Sequence, residues 1–289
     1  MSNILTAALH LALSVSRFRF WIYTGGTYVV GYALGMNDWT AFLRPEYTLF
    51  LVYFFFPANV FLYGINDFWD GETDRHNPKK QGREHLLSED ERKLLIAVLV
   101  VAVVPVPCLF FCVPLPLQLA LLGFLALAYG YSAPPFRFKE IPVLDFSSNV
   151  LYIMPGIFGY LLASGTLPPI ELVSVGFLHI AAMHLFSAIP DIGCDREAGI
   201  RTTAVVLGKS LSLALCCLFW GCMAVIIIRL SGMHPAAFIS LGYSAIPLLL
   251  LVSGLSIERL YWFLPYFNTC CGGLVFLLAT AAKAAGPLF

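Results

Sequence analysis

The residues best suited to chemistry lie in the segment NDFWDGETD at 66–74, which directly follows an apolar stretch. It contains Asp67, Asp70 and Asp74, three carboxylates separated by three and four residues. These spacings place all three side chains on one face if the segment is helical. Like charges at such short range repel each other unless cations lie between them, and divalent cations with oxygen ligands are the usual partners. The segment is therefore predicted to hold divalent cations that carry a phosphate-rich substrate.

A second acidic segment, DIGCDREAG at 191–199, contains Asp191 and Asp195 at a spacing of four. An EF-hand-like calcium loop is excluded for the first segment because the D-x-D-x-D-G spacing is absent. A merely solvated loop would not account for the recurrence of the pattern in the second. The eight cysteines include no C-x-x-C pair, which argues against a structural zinc site. Most of them lie in apolar runs and are predicted to pack as small hydrophobic residues.

The elements that must position these carboxylates are membrane helices. Hydrophobic residues make up 59% of the 289-residue chain and charged residues only 12%, whereas soluble domains have about 25% charged residues. The mean hydropathy is +0.82. We predict an all-α polytopic membrane protein in one domain spanning 1–289, with helices around a cavity and a cytoplasmic cap of loops and short helices. Nine runs are long enough to cross the bilayer, namely 18–36, 47–65, 94–113, 115–131, 146–163, 170–190, 210–230, 236–253 and 262–282.

The basic residues divide unequally between the two sides of this nine-span arrangement. Fourteen of the 17 Lys and Arg residues fall on the side that also carries both acidic segments, and only Arg44, Arg229 and Lys283 fall on the other. The excess of Lys and Arg predicts that the side with the acidic segments is cytoplasmic. A body of this kind predicts no nucleic-acid partner, and the sequence shows no obligate protein partner. Two acidic segments at the mouth of a membrane body suggest a site for a diphosphate attached to an apolar tail.

Three motifs carry a resemblance to a known family. NDFWDGETD matches the NDxxDxxxD motif of the UbiA superfamily of intramembrane prenyltransferases, and DIGCDREAGIRT matches its second motif, DxxxDxxxGxxT. YSAPPFRFK at 131–139 resembles the third signature of that family. The segments PANVFLYGINDFWD and HLFSAIPDIGCDREAGIRTTAVVLG look most like the lycopene elongase branch. The resemblance covers nearly the whole chain.

The resemblance implies a role for each matching residue. Asn66, Asp67, Asp70 and Asp74 would bind one Mg²⁺, and Asp191 and Asp195 would bind a second. The catalytic carboxylates would be those of Asp67, Asp70, Asp191 and Asp195. The residues that would contact the substrate, mostly through its diphosphate, are Asn66, Arg17, Lys79, Arg83, Tyr131, Arg137, Lys139, Asn149 and Arg201. Whether Arg17 or Arg19 faces the phosphate is left open.

The implied reaction is transfer of a prenyl group from an allylic diphosphate, with dimethylallyl diphosphate as the expected donor, to a lipophilic acceptor. In the lycopene elongase branch the acceptor would be lycopene or a related linear carotenoid. An aromatic or quinone-precursor, heme or chlorophyll acceptor is the alternative within the family. A transporter of a lipid phosphate and a noncatalytic membrane scaffold are the alternatives outside it. A transporter predicts acidic residues near the middle of the spans, whereas almost all the charge here lies at one interface.

Overall fold

The computed structural model describes residues 2–75, 87–104, 106, 113–253 and 255–284, without the side chains of residues 2, 3, 72–75 and 259. Over these residues the secondary structure is helical, with no strand. The α-helices are α1 Ser2–Val15, α2 Gly25–Gly35, α3 Pro45–Phe55, α4 Pro57–Arg75, α5 Glu89–Val103, α6 Leu115–Ser132, α7 Leu144–Ser147, α8 Met154–Ser164, α9 Ile170–Ala188, α10 Ile192–Glu197, α11 Thr203–Leu230, α12 Leu241–Val252 and α13 Ile257–Ala284. The 3-10 helices are Phe18–Tyr23, Trp39–Leu43, Phe138–Glu140, Ser148–Tyr152, Ile189–Asp191 and Pro235–Ser240.

Seven helical segments of the described chain are long and apolar enough to cross a membrane. They are Pro45–Gly71, Leu115–Ser132, Leu144–Ser164, Ile170–Glu197, Thr203–Leu230, Pro235–Val252 and Leu260–Ala284. They coincide with seven of the nine predicted runs. The run at 18–36 is divided at Thr24 between a 3-10 helix and α2, so neither piece reaches spanning length. The run at 94–113 extends beyond the described residues, and the count of nine stays a prediction.

The helices form two compact units. The first comprises Met1–Phe136, Met154–Pro168 and Pro265–Phe289, and the second comprises Arg137–Ile153 and Pro169–Leu264. The core of the first unit is aromatic, with Phe50, Phe54 and Phe158 all fully buried. The ring centroids of Phe50 and Phe158 are 4.5 Å apart. In the second unit α11 packs against α9 and α12, around a fully buried Trp220 whose ring lies 5.6 Å from that of Tyr243.

Glycines allow α2 and α8 of the first unit to approach closely. A Cβ at Gly31 would overlap the backbone carbonyl of Gly156, and a Cβ at Gly159 would overlap that of Tyr28. Small residues at such crossings let helix backbones pack in direct contact, which is the main source of helix association in lipid. The pair therefore fixes α2 against α8 within this unit.

We expect Gly31→Ala to lower the free energy of unfolding by about 1–3 kcal/mol, because the added methyl group overpacks a backbone contact. Thermal unfolding of the purified protein in detergent measures the change. Gly272→Ala on α13 is the matched control, since a Cβ there meets no atom within 4 Å and alanine favours the helix. Equal destabilisation by both substitutions would contradict the close crossing.

Candidate active site

The first acidic segment lies on the last turns of α4, so the helical condition for placing its carboxylates on one face is met. Asp67 and Asp70 are buried, with exposures of 4% and 3%. Asp74 lies on the same helix, but its side chain is outside the description. The predicted run 47–65 ends before the acidic segment, whereas α4 continues through the segment to Arg75. Carboxylates near a helix C-terminus oppose the helix dipole, so their burial here requires local positive partners.

Arg17 is such a partner for Asp67. Its Nη2 lies 2.5 Å from Oδ1 of Asp67, and the two side chains are 12% and 5% exposed. The guanidinium also lies 5.0 Å from the ring centroid of Tyr63, one turn before Asp67 on α4. The backbone of Arg17 is left-handed, with φ 52°, where the chain turns from α1 into the 3-10 helix Phe18–Tyr23. By contrast, Arg19 lies over the rings of Phe20 and Tyr266, which favours Arg17 for the phosphate-facing position.

We expect Arg17→Gln to lower the free energy of unfolding by about 3 kcal/mol in the absence of metal and substrate, because it leaves the buried Asp67 charge without its ion pair. Thermal unfolding with and without Asp67→Asn gives the coupling between the two residues as a double-mutant cycle. The exposed Arg44 supplies the control substitution Arg44→Gln. Additive effects of Arg17→Gln and Asp67→Asn would show that the pair does not contribute to stability.

Asn66 connects this site to the end of α6. Its Nδ2 donates to Oδ2 of Asp70 at 2.8 Å and to Oγ of Ser132 at 2.9 Å. Ser132 is itself buried and follows Tyr131, which is half-buried at the predicted substrate-contacting position. Both amide hydrogens of Asn66 are thereby used on protein acceptors, and its amide oxygen is the atom that could ligate a cation. Sequence reasoning missed Ser132, although it stands inside the YSAPP motif.

The predicted basic residues divide into three groups. Arg137 has a left-handed backbone, with φ 43°, and its Nε donates to Oε1 of Glu140 at 2.9 Å in the turn that also carries Lys139. Arg201 is exposed immediately before α11. Lys79 and Arg83 lie outside the described residues. Their predicted phosphate contacts stay predictions.

The second acidic segment is also helical, and it continues the helical segment beyond the end of the predicted run 170–190. Asp191 ends the 3-10 helix Ile189–Asp191, Asp195 lies on α10, and both are half-buried. Gly199, with φ 74°, ends α10 in a Schellman turn, in which Ile200 N–H donates to the Asp195 carbonyl and Gly199 N–H to that of Arg196. The left-handed backbone explains why a glycine stands at this position of the motif.

Asn149 is buried at the start of the predicted fifth span, and its predicted substrate contact stays a prediction. Its side chain is 2% exposed, and its Nδ2 donates to the backbone carbonyl of Asp145 at 2.5 Å. Asp145 is fully buried and accepts hydrogen bonds from both the backbone and the hydroxyl of Thr203. Sequence reasoning missed Thr203. The only sequence signal for Thr203 is its position next to Thr202, which ends the second motif.

The donors in both units suit a hard cation. They are carboxylate and amide oxygens, and Mg²⁺ commonly takes one or two protein carboxylates together with substrate phosphates and water. Over the part of the chain that the structure describes, no cluster of three His, Cys, Asp or Glu residues could hold a metal by itself. The described cysteines form no disulfide with one another, and thiolates are poor ligands for magnesium. The residues present therefore fit a cation that arrives with an oxygen-rich substrate.

Comparison with known proteins identifies the family. Residues 24–264 match the UbiA prenyltransferase family. The lycopene elongase/hydratase of Haloarcula japonica is 40% identical over 270 residues, which cover 92% of this chain and 90% of that protein. The lycopene elongase/hydratase of Halobacterium salinarum is 41% identical over 267 residues, which cover 91% and 94%.

The fold is likewise similar to that of a solved protein. A UbiA homolog from Archaeoglobus fulgidus, bound to GPP and Mg²⁺, superposes with a TM-score of 0.68 at 22% identity, covering 92% of this chain and 99% of that one. The resemblance to the UbiA superfamily and to its lycopene elongase branch, inferred from the motifs, is confirmed. The chain belongs to the UbiA prenyltransferase family.

Proposed function

We propose that the protein transfers the prenyl group of an allylic diphosphate, dimethylallyl diphosphate, to an end of lycopene or a related linear carotenoid. The observation that carries this proposal is the 40% identity to a lycopene elongase/hydratase over nearly the full length of both chains. The buried Asp67 and Asp70, with Arg17 and Asn66 beside them, supply oxygen ligands and a cation that suit a diphosphate.

In the proposed reaction the bond between the allylic carbon and the bridging oxygen breaks, and both electrons leave with diphosphate. Bound Mg²⁺ would act as a Lewis acid that neutralises the departing diphosphate. Asp67, Asp70 and Asn66 would hold one such ion, with Asp74 as a further ligand, and Asp191 and Asp195 would hold a second. Arg17, Arg137, Lys139 and Arg201, together with Lys79 and Arg83, would contact phosphate oxygens, where arginine offers a bidentate fork.

The acceptor attacks the allylic carbocation as the diphosphate leaves. The terminal double bond of the carotenoid gives its electron pair to the allylic cation, which forms the new carbon–carbon bond and moves the positive charge onto the acceptor. Loss of a proton or capture of water then completes the reaction. Aromatic rings stabilise such cations by about 0.5–2 kcal/mol each, and Tyr63 and Tyr131 stand beside the carboxylates and Ser132 respectively. The surrounding lipid excludes the bulk water that would quench the cation.

The proposed topology has nine spans in a single functional domain, with the acidic segments on the cytoplasmic side. It rests on the unequal distribution of Lys and Arg. Single-cysteine variants at Gly193 within the second acidic segment and at Thr166 between α8 and α9, made after replacing the eight native cysteines and labelled from either side of intact cells, test this arrangement. Labelling of the residue at 193 from outside would contradict it.

Expression in a lycopene-accumulating host, followed by mass analysis of the pigments, tests the function. We expect products heavier than lycopene by one or two five-carbon units, with or without added water. If lycopene stays unchanged and prenylated aromatic acids appear, the carotenoid acceptor is wrong and a quinone-precursor acceptor is supported. Movement of a lipid phosphate across proteoliposomes without chemical conversion would favour a transporter.

A further inference from the structure

Asp145 is a buried aspartate that the proposed reaction does not use. It lies on the four-residue helix α7 and is 0% exposed. Its Oδ2 accepts the Thr203 backbone N–H at 2.7 Å, and its Oδ1 accepts the Thr203 hydroxyl at 2.5 Å and the Phe146 N–H at 2.9 Å. The carboxylate thus lies at the start of α11, on the short helical part that precedes the kink at Gly208, where φ is 72°. Ionisable residues inside membrane segments are rare and commonly functional.

The same threonine also holds the chain before α7. The Thr203 hydroxyl accepts the backbone N–H of Val143 at 2.7 Å. Val143 has φ 72° and ψ −45°, a conformation that a β-branched residue adopts only when its surroundings impose it. Two contacts, one from the Val143 backbone and one from the Asp145 carboxylate, therefore fix this segment to the start of α11. Strained backbone of this kind concentrates at functional sites.

On one side of this contact lies the basic turn, Arg137–Glu140. The Asp145 N–H donates to the Ile141 carbonyl at 2.9 Å, and the Ile141 N–H donates back to the Phe138 carbonyl at 3.1 Å. The 3-10 helix that carries Lys139 packs against α7. A shift of Asp145 would therefore move Arg137 and Lys139.

On the other side lies the second acidic segment. Thr202 is the N-cap of α11, and its hydroxyl accepts the Val205 N–H at 3.3 Å and lies 3.5 Å from Oδ2 of Asp195. The Schellman turn at Gly199 joins Asp195 to the same N-terminus through the Ile200 N–H. The start of α11 is thus connected to Asp195 through Thr202 and to the basic turn through Thr203.

We propose that Asp145 is a positioning residue that, through Thr203, holds the basic turn at a fixed distance from Asp195 so that both act on one diphosphate. This rests on the proposed function. Without the contact the phosphate-binding cations and the metal-binding carboxylate would move independently, and the site would have to order them at each binding event. The contact lies entirely within the second unit.

Pyrophosphate binding to the purified full-length protein provides the test. We expect Thr203→Val, which keeps the side-chain shape but removes the hydroxyl, to weaken Mg²⁺-dependent pyrophosphate binding about tenfold, the low end of the loss seen when outer partners of metal ligands are removed. Asp145→Asn should have a similar effect, and the two together should do little more than either alone. Thr203→Ser should restore binding. Isothermal titration calorimetry on the folded fraction measures each value.

The control is Thr280→Val on α13, whose hydroxyl donates only within its own helix to the carbonyls of Phe276 and Leu277. It should bind pyrophosphate as the unaltered protein does. Thr203→Val and Asp145→Asn variants that unfold at lower temperature yet bind pyrophosphate with unchanged affinity and Mg²⁺ dependence would overturn the inference and leave the proposed function standing. Absence of pyrophosphate binding by the unaltered protein would overturn both.

Discussion

Replacing Asp67 and Asp70 together with asparagine will reduce prenyl transfer at least about 10³-fold. Asparagine keeps the size and one acceptor oxygen of each side chain, but it replaces the other oxygen with an amide donor and removes the two charges that would hold the cation. Removal of a single electrostatic contact to a developing charge typically costs about 10²–10³ in rate, and here two are lost from one buried site. Transfer of a labelled dimethylallyl group to lycopene in detergent or liposomes measures the loss.

Two further variants separate chemistry from folding in this experiment. Asp90→Asn makes the same substitution at an exposed helical position and should leave the rate unchanged. Because Asp67 pairs with Arg17, the loss of Asp67 is expected to lower stability as well as activity. The single variant Asp70→Asn, which removes the carboxylate that accepts from Asn66, is therefore compared with the unaltered protein at equal amounts of folded protein. Full activity of the double variant would refute the assignment of these carboxylates to the reaction.

Removal of divalent cations is expected to have an effect of similar size. Treatment with EDTA should reduce transfer at least about 10²-fold, because no Lewis acid would then neutralise the charge of the departing diphosphate. Added Mg²⁺ should restore the rate, whereas Zn²⁺ should restore it poorly because it prefers nitrogen and sulfur ligands. The rate is measured against free Mg²⁺ concentration.

A second readout identifies what the cation does. Pyrophosphate binding should fall with the rate on chelation and recover with it, because the carboxylates of Asp67 and Asp70 repel the anion unless a cation lies between them. Transfer that persists unchanged in EDTA would contradict the metal-dependent mechanism while leaving the family assignment intact.

Features that depend on neighbouring residues could be predicted from the sequence. The spacing of Asp67 and Asp70 would place both on one face of a helix, and both residues do lie on the helix α4. The length of an apolar run reflects the thickness of the bilayer, and seven predicted runs coincide with apolar helices of spanning length. Both inferences require only the local periodicity of the chain.

The contacts that complete the site join residues far apart in sequence, and local patterns do not encode them. Arg17 and Asp67 are 50 residues apart, Asn66 and Ser132 are 66 apart, and Asp145 and Thr203 are 58 apart. The predicted run 47–65 also ends too early, because a charged residue normally marks the end of an apolar span. Here α4 continues past that point because Arg17 compensates the charge of Asp67.

The glycine crossing of α2 and α8 has a consequence for biogenesis. The two helices lie at 25–35 and 154–164, so α2 is synthesised long before its partner. During that interval its glycine face lacks the Gly156 backbone that packs directly against Gly31 in the folded protein. A nascent chain halted before Met154 should therefore leave α2 loosely held and open to quality-control proteases, whereas a chain released after Ser164 should be protected.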